Sequence, residues 1–164
     1  MVLVKDGAIA ESDIWTFAEA EGDLPEAEAL AVPLSRFAED REALLARNTK
    51  LGVVIEPGDD PHVIADDLDK LSLIAVNFPS FTDGRGYTHA RLLRERLGWR
   101  GELRAIGDVL RDQLLYMTRV GIDAFDVKKE HDAQAFAEAL GEFSHVYQKT
   151  PDTKPTAVEL RHKS

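Results

Sequence analysis

The chain has no cysteine, only two methionines and two tryptophans, and no apolar run near the roughly 20 residues that span a bilayer as a helix. Without cysteine, this chain forms no disulfide, no thiolate metal site, no iron–sulfur ligation and no thiol nucleophile. Basic residues are also scarce, since 20 Lys and Arg face 30 Asp and Glu and leave a net charge of −10. Such a field repels nucleic acid and anionic lipid, so we expect neither as a partner.

The residues that are present describe an ordinary globular protein. Its 164 residues are 44% hydrophobic and 30% charged, which is typical of one folded domain. Charge and a turn residue appear at Lys5 and Gly7, too early for a secretory signal, and the expected location is the cytoplasm. We divide the domain into an extension over residues 1–28, an α/β core over 29–147 and a tail over 148–164.

The extension begins with a predicted β-hairpin. Apolar residues 2–4 and 8–10 flank Lys5-Asp6-Gly7, and Asp-Gly between apolar runs is a strong signal for a tight turn. The acidic stretch 12–28 is predicted to be a loop that contains at most a short strand.

Strand-like and helix-like segments alternate through the core. Strands are predicted at 29–34, 51–55, 73–76, 102–106 and 122–127, and Val146 and Tyr147 could close the sheet. Helices are predicted at 35–48, 62–68, 87–97, 108–120 and 132–141. About five such βα units predict a mostly parallel sheet, either open or a partial barrel, whose functional loops follow the carboxyl ends of the strands.

Positive charge is concentrated in residues 80–119. This window has a charge of +3 and no lysine, while the rest of the chain carries −13. The planar guanidinium binds carboxylates and phosphates in a fixed geometry, so the exclusive use of arginine indicates pairing rather than solubility. The arginines either form ion pairs inside the fold or across a subunit contact, or they bind an anion or an acidic partner. They are Arg85, Arg91, Arg94, Arg96, Arg100, Arg104, Arg111 and Arg119.

The strongest local signal is the loop of residues 77–87, which follows a predicted strand and precedes a helix. Gly84 and Gly86 would allow positive φ or a close approach to a ligand, and Arg85 would project from the turn between them. Free amides at the helix start favour an anion. The alternative is a helix cap with a local pair between Asp83 and Arg85. Neither glycine spacing matches a phosphate-binding loop or a dinucleotide fingerprint.

A second group of charged residues is predicted at the same sheet edge. Asp108 follows a strand and would begin a helix, with Arg104 before it and Arg111 after it. Asp83 and Asp108 are therefore the candidate acid or base residues, although a helix N-terminus weakens a base and a capping role suits Asp108 equally well. The candidate anion-binding residues are Gly84, Arg85, Gly86, Arg91, Arg104 and Arg111. No two of the five histidines have a spacing suited to shared metal ligation, so no metal site is expected.

Three segments of the chain resemble one bacterial family. They are FPSFTDGRGYTHARLLR (78–94), GWRGELRAIGDVLRDQ (98–113) and GIDAF (121–125), within a likeness over roughly residues 50–145. The family consists of uncharacterised proteins labelled as oxidoreductases of sulfite reduction, encoded beside assimilatory sulfite and adenylylsulfate reductases. The resemblance implies a role in that process and carries over no catalytic residue or cofactor.

An oxidoreductase would need a cofactor, because side chains other than Cys, Tyr and Trp rarely carry electrons. The chain shows no nicotinamide or flavin fingerprint, so its cofactor is unknown. An accessory role fits the residues at least as well: docking on sulfite reductase or its electron donor, or binding an anionic metabolite or sirohaem carboxylates. Two alternatives stay open. One is an enzyme acting on a phosphorylated or sulfated small molecule, and the other is a structural homodimer whose arginine window is the interface.

Overall fold

The computed structural model describes residues 1–80 and 82–153, with side chains as far as residue 142. Eight strands form one open, curled sheet in the order β2-β1-β8-β7-β6-β5-β4-β3. The strands are β1 Val2–Lys5, β2 Ala8–Ile9, β3 Trp15–Phe17, β4 Ala29–Pro33, β5 Lys50–Ile55, β6 Leu73–Phe78, β7 Glu102–Gly107 and β8 Ala124–Val127.

The sheet is mostly parallel, which confirms the predicted α/β class. Strands β3 to β8 pair in sequence order and in parallel, whereas β1 pairs antiparallel with β8. Asp6 and Gly7 have φ values of 56° and 76° in the turn between β1 and β2. This pair of strands joins the main sheet through β8, and the predicted loop 12–28 also contributes β3 to it.

The helices are short until the last one. Besides the α-helices, the structure contains a 3₁₀ helix, a π-helical turn and a 3₁₀ turn. Short segments of these types are common at helix ends and connections. The helical segments are α1 Leu34–Glu39, α2 Arg41–Leu45, a 3₁₀ helix Pro61–Lys70, α3 Arg85–Arg91, a π-helical turn Leu92–Arg96, a 3₁₀ turn Arg111–Gln113, α4 Leu114–Arg119 and α5 Glu130–Thr153.

Asp108 does not begin a helix, which corrects the prediction for residues 108–120. Gly107 has a φ of +88° and turns the chain, and the amide of Asp108 then donates to the carbonyl of Phe78 at 2.6 Å. Leu110 is still extended, with φ −109° and ψ 141°, so helical structure starts only at Arg111. Asp108 instead lies 3.6 Å from the ammonium group of Lys128.

Three other predicted elements differ from the structure. The single helix expected over 35–48 is divided at Asp40, whose φ of −105° and ψ of 20° interrupt the helical geometry between α1 and α2. The last parallel strand starts at Ala124 rather than at residue 122. Val146 and Tyr147 lie inside α5 and form no strand, because two apolar residues carry no period that distinguishes a strand from a continuing helix. The helix predicted over 132–141 continues as α5 to Thr153, so residues 148–153 of the predicted tail are helical. The rest of that tail, from residue 154, lies outside the described residues.

The two faces of the sheet are packed differently. One face supplies the main apolar core together with the helices, through residues such as Val53, Ile74 and Phe125. The other, concave face has a small second cluster of Ala31, Val54, Leu73 and Ala75. Its other buried side chains include a charged pair, which places a polar network inside the curl of the sheet. Among the described residues, no helix is both long enough and apolar enough to cross a membrane.

Candidate functional site

The predicted pair of Asp83 and Arg85 forms at the start of α3. The guanidinium donates to both carboxylate oxygens, at 3.1 and 2.8 Å, and the Arg85 amide donates to the same carboxylate at 3.1 Å. These donors lower the pKa of Asp83 from 3.8 to about 2. Asp83 is therefore ionised and a weak base, and the exposed Arg85 guanidinium is already occupied by it.

The two glycines beside Arg85 do not adopt an unusual backbone conformation, and only Gly86 is needed for packing. Neither Gly84 nor Gly86 has a positive φ. A Cβ at Gly86 would lie 2.5 Å from the ring of Phe78, whereas a Cβ at Gly84 would meet nothing within 4 Å. The absence of a side chain at Gly86 thus lets α3 pack closely on β6.

The surroundings of Arg104 differ from those of Arg85. The side chain of Arg104 is fully buried on the concave face. It donates to the carboxylate of Asp13 at 2.8 and 3.2 Å and to that of Glu102 at 2.9 Å. The ring of Phe17 lies over its guanidinium at 5.8 Å. Desolvation works against the charged form, but these carboxylates prevail and raise the pKa of Arg104.

Asp126 completes this network, with Oδ1 3.5 Å from Nη1 of Arg104. Burial is the main reason that its pKa rises from 3.8 to about 6, and the attraction of Arg104 opposes the rise only in part. Asp13 and Glu102 add to it by repulsion. Glu102 also accepts from Lys5 at 3.0 Å. We call Lys5, Asp13, Glu102, Arg104 and Asp126 the concave-face network.

Arg94 holds three backbone segments together. Its guanidinium donates at 2.9 Å to each of the carbonyls of Gly121, Trp99 and Gly101, and at 3.2 Å to the carboxylate of Asp123. This side chain therefore ties the end of the π-helical turn to the starts of β7 and β8. The role of Arg94 is therefore to stabilise the fold.

Arg91 and Arg119 behave differently from these arginines, because both are exposed and line an open cleft of about 410 Å³ between α3 and α4. Arg91 forms a loose, exposed ion pair with Glu95, with the charged groups 4.0 Å apart. Among the described residues, the guanidinium of Arg119 has no hydrogen-bond or ion-pair partner. We call this the α3–α4 cleft, and it is lined by Tyr87, Arg91, Gln113, Tyr116, Arg119 and Val120.

The cleft is aromatic as well as basic, and no carboxylate is present among its described lining residues. Tyr87 is held by an edge-on contact with Phe78, with ring centroids 5.2 Å apart, and its partial burial raises its pKa. Tyr116 is 60% exposed. The charge window includes Arg119, but sequence reasoning did not single out Arg119 or the tyrosines. The available signal was the position of Tyr116 between the buried Leu114 and Met117, which leaves it on the outer side of α4.

The remaining candidate, Arg111, lines a separate cavity of about 300 Å³ beside His131 and Phe136 of α5. The structure thus brings Asp83, Gly84, Arg85 and Gly86 together and places Arg91, Arg104 and Arg111 at three different locations. Within the described part of the chain, no three His, Asp or Glu side chains are grouped to hold a metal ion.

Comparison with known proteins identifies the family of the chain. No curated protein and no solved structure matches the chain. The model of the bacterial family of unknown function DUF934 matches residues 52–158, which include α3, β7, α4 and the α3–α4 cleft. With most of its length covered by that match, the chain belongs to the DUF934 family.

Proposed function

We propose that the protein is an accessory protein of assimilatory sulfite reduction, which docks on sulfite reductase or on its electron donor through the α3–α4 cleft. The observation that carries this proposal is the composition of the cleft. It combines two exposed guanidinium groups with two tyrosines, and its described lining residues include no carboxylate, on a chain with a net charge of −10. The link to sulfite reduction rests on the family resemblance of residues 78–94 and 98–113.

The size and chemistry of the cleft favour a protein over a small anion. Its volume of about 410 Å³ is much larger than an inorganic oxyanion needs, since one water occupies about 30 Å³. Tyrosine and arginine are also the residues that most often dominate the binding energy of protein interfaces. An acidic segment of a partner would fit here and would be repelled by most of the remaining surface, which gives the docking an orientation.

Backbone geometry beside the cleft supports the same assignment. The π-helical turn Leu92–Arg96 follows directly after Arg91. Single π-helical turns inside helices are rare and occur frequently at functional sites. Here Arg94 secures the turn to the fold, so that Arg91 is presented from a fixed helix end.

A binding measurement with purified proteins tests the proposal. We expect a saturable complex with sulfite reductase or with its electron donor by isothermal titration calorimetry. Arg91→Glu should weaken it at least about tenfold, because a basic contact becomes a repulsive one. Arg96→Glu is the matched control, since Arg96 is exposed and lies outside the cleft lining. If neither protein binds the wild-type chain even at low salt, the proposal is wrong.

A thermal-shift series separates the accessory role from the enzyme alternative. We expect sulfite, sulfate, adenylylsulfate, nicotinamide nucleotides and flavins to leave the melting temperature unchanged, because Arg85 is already paired with Asp83, and Lys128 with Asp108. Stabilisation that disappears in Asp108→Asn would favour the enzyme. Dissociation of a homodimer in Arg91→Glu would instead assign the cleft to a subunit contact.

A further inference from the structure

A short segment crosses the open side of the curled sheet. Strands β2 and β3 occupy opposite edges of the sheet, so residues 10–14, which connect them, must pass from one edge to the other. We call residues 10–14 the strap. It borders a cavity of about 320 Å³ whose other walls include Lys5, Lys50, Ser72 and Glu102.

One ion pair fastens the strap to the sheet. Asp13, whose side chain is 32% exposed, accepts from the fully buried Arg104 at 2.8 and 3.2 Å, across 91 residues of sequence. The adjoining residues Glu11, Ser12 and Ile14 are exposed. The strap is also held at its first residue, where the amide of Ala10 donates to the carbonyl of Leu3 at 2.9 Å. The part of the strap around Asp13 therefore depends on the contact with Arg104 for its closure.

Arg104 has a second carboxylate available for the same nitrogen. Glu102 occupies Nε and Nη2, while Nη1 lies 2.8 Å from Asp13 and 3.5 Å from Asp126. Three carboxylates thus share the two cations Arg104 and Lys5. One carboxylate is in excess, and its charge repels the other two.

We propose that the strap is a proton-linked latch, in which Arg104 holds Asp13 when Asp126 is protonated and turns to Asp126 when Asp126 is ionised. The charged groups that act on Asp126 are Arg104 and Glu102 from β7, Asp13 from the strap and the N-terminal ammonium group. Release of Asp13 removes one repulsive charge and frees Nη1 of Arg104, so the open strap lowers the proton affinity of Asp126. By linkage, opening releases a proton and is favoured as pH rises.

With the strap closed, burial raises the pKa of Asp126 to about 6, so by linkage the fraction of open strap rises with pH up to about that value and then levels off. Opening would give solvent access to the cavity and to Trp15, which lines it. This latch is independent of the docking role, because none of its residues lines the α3–α4 cleft.

Acrylamide quenching of tryptophan fluorescence between pH 5 and 8 tests the latch. The signal reports mainly Trp15, because Trp99 is only 4% exposed. We expect the quenching constant of the wild type to rise at least about twofold with pH. Asp126→Asn should keep the low value throughout, Asp13→Asn should keep the high value, and Glu11→Gln should behave as the wild type. A wild-type constant that does not change with pH, or a pH dependence that survives in Asp126→Asn, overturns the latch.

If the variant Asp126→Asn does not fold, a second measurement still tests the latch. The carboxyl carbon of Asp126 is titrated by NMR in the wild type and in Asp13→Asn. The latch requires a lower pKa for Asp126 when Asp13 carries no charge, so an unchanged pKa contradicts it.

Discussion

At the scale of single residues, arginines of one charged window do different work because their neighbours differ. Arg85 is bound to Asp83 beside it in sequence, whereas Arg104 is buried among carboxylates from distant segments. Arg94 binds mainly backbone carbonyls, and Arg119 is left for solvent or a partner. The guanidinium group suits all these roles because it stays charged and donates in several directions.

Asp126→Asn is expected to stabilise the protein at neutral pH. The folded-state pKa is raised from 3.8 to about 6, so the folded state binds the proton more tightly than the unfolded state. The contribution of Asp126 to stability is therefore largest below about pH 4 and is lost as the pH rises through 6. Asparagine removes the buried charge, and we expect a gain of about 1–3 kcal/mol at pH 7.5. Urea denaturation at pH 4.5 and 7.5 measures it, and an equal effect at both pH values would contradict the account.

Gly86→Ala is expected to cost about 1–3 kcal/mol in the free energy of unfolding, because its Cβ would overlap the ring of Phe78. Gly84→Ala is the matched control, with open space around its Cβ and an ordinary φ of −83°. We expect that control to change stability by no more than about 0.5 kcal/mol. Equal denaturation midpoints for the two variants would show that the contact between α3 and β6 is not tight.

At the scale of elements, the α/β alternation and most core strands could be predicted from apolar runs and turn residues. The break at Asp40 and the late start of the helix at Arg111 were not predictable from these patterns, and at Asp108 the reason is a tertiary contact. The hydrogen bond from Asp108 to Phe78, for example, replaces the helix cap that its residue type favours. For the candidate site, the local pair at Asp83 was predictable, whereas the positions of Arg91, Arg104 and Arg111 depend on how separate elements pack.

Arg94→Ala tests the connection between elements. It would leave the carbonyls of Trp99, Gly101 and Gly121 without their guanidinium donor, and we expect a loss of about 2–3 kcal/mol. Arg96→Ala removes a neighbouring exposed arginine of the same helix and should have little effect. Thermal denaturation of both variants compares them, and similar melting temperatures would remove Arg94 from its structural role.

At the scale of the whole molecule, the curl of the sheet separates two polar systems. The concave-face network satisfies its own charges inside the sheet, while the α3–α4 cleft presents positive charge outward from two helices. An acidic chain with a basic, aromatic cleft is suited to oriented docking. The arginines of the cleft attract an acidic partner, whereas the net negative charge of the chain repels that partner elsewhere.

The most direct test of the docking account is the affinity for sulfite reductase and its electron donor as a function of salt. The wild type is compared with the double variant Arg91→Glu/Arg119→Glu and with the control Arg96→Glu/Arg100→Glu, which makes the same change of charge outside the cleft. We predict that wild type and control bind, with affinity falling as salt rises, and that the cleft variant does not bind. Equal loss in both double variants, or binding that the cleft variant retains, would contradict the assignment of the cleft as the docking site.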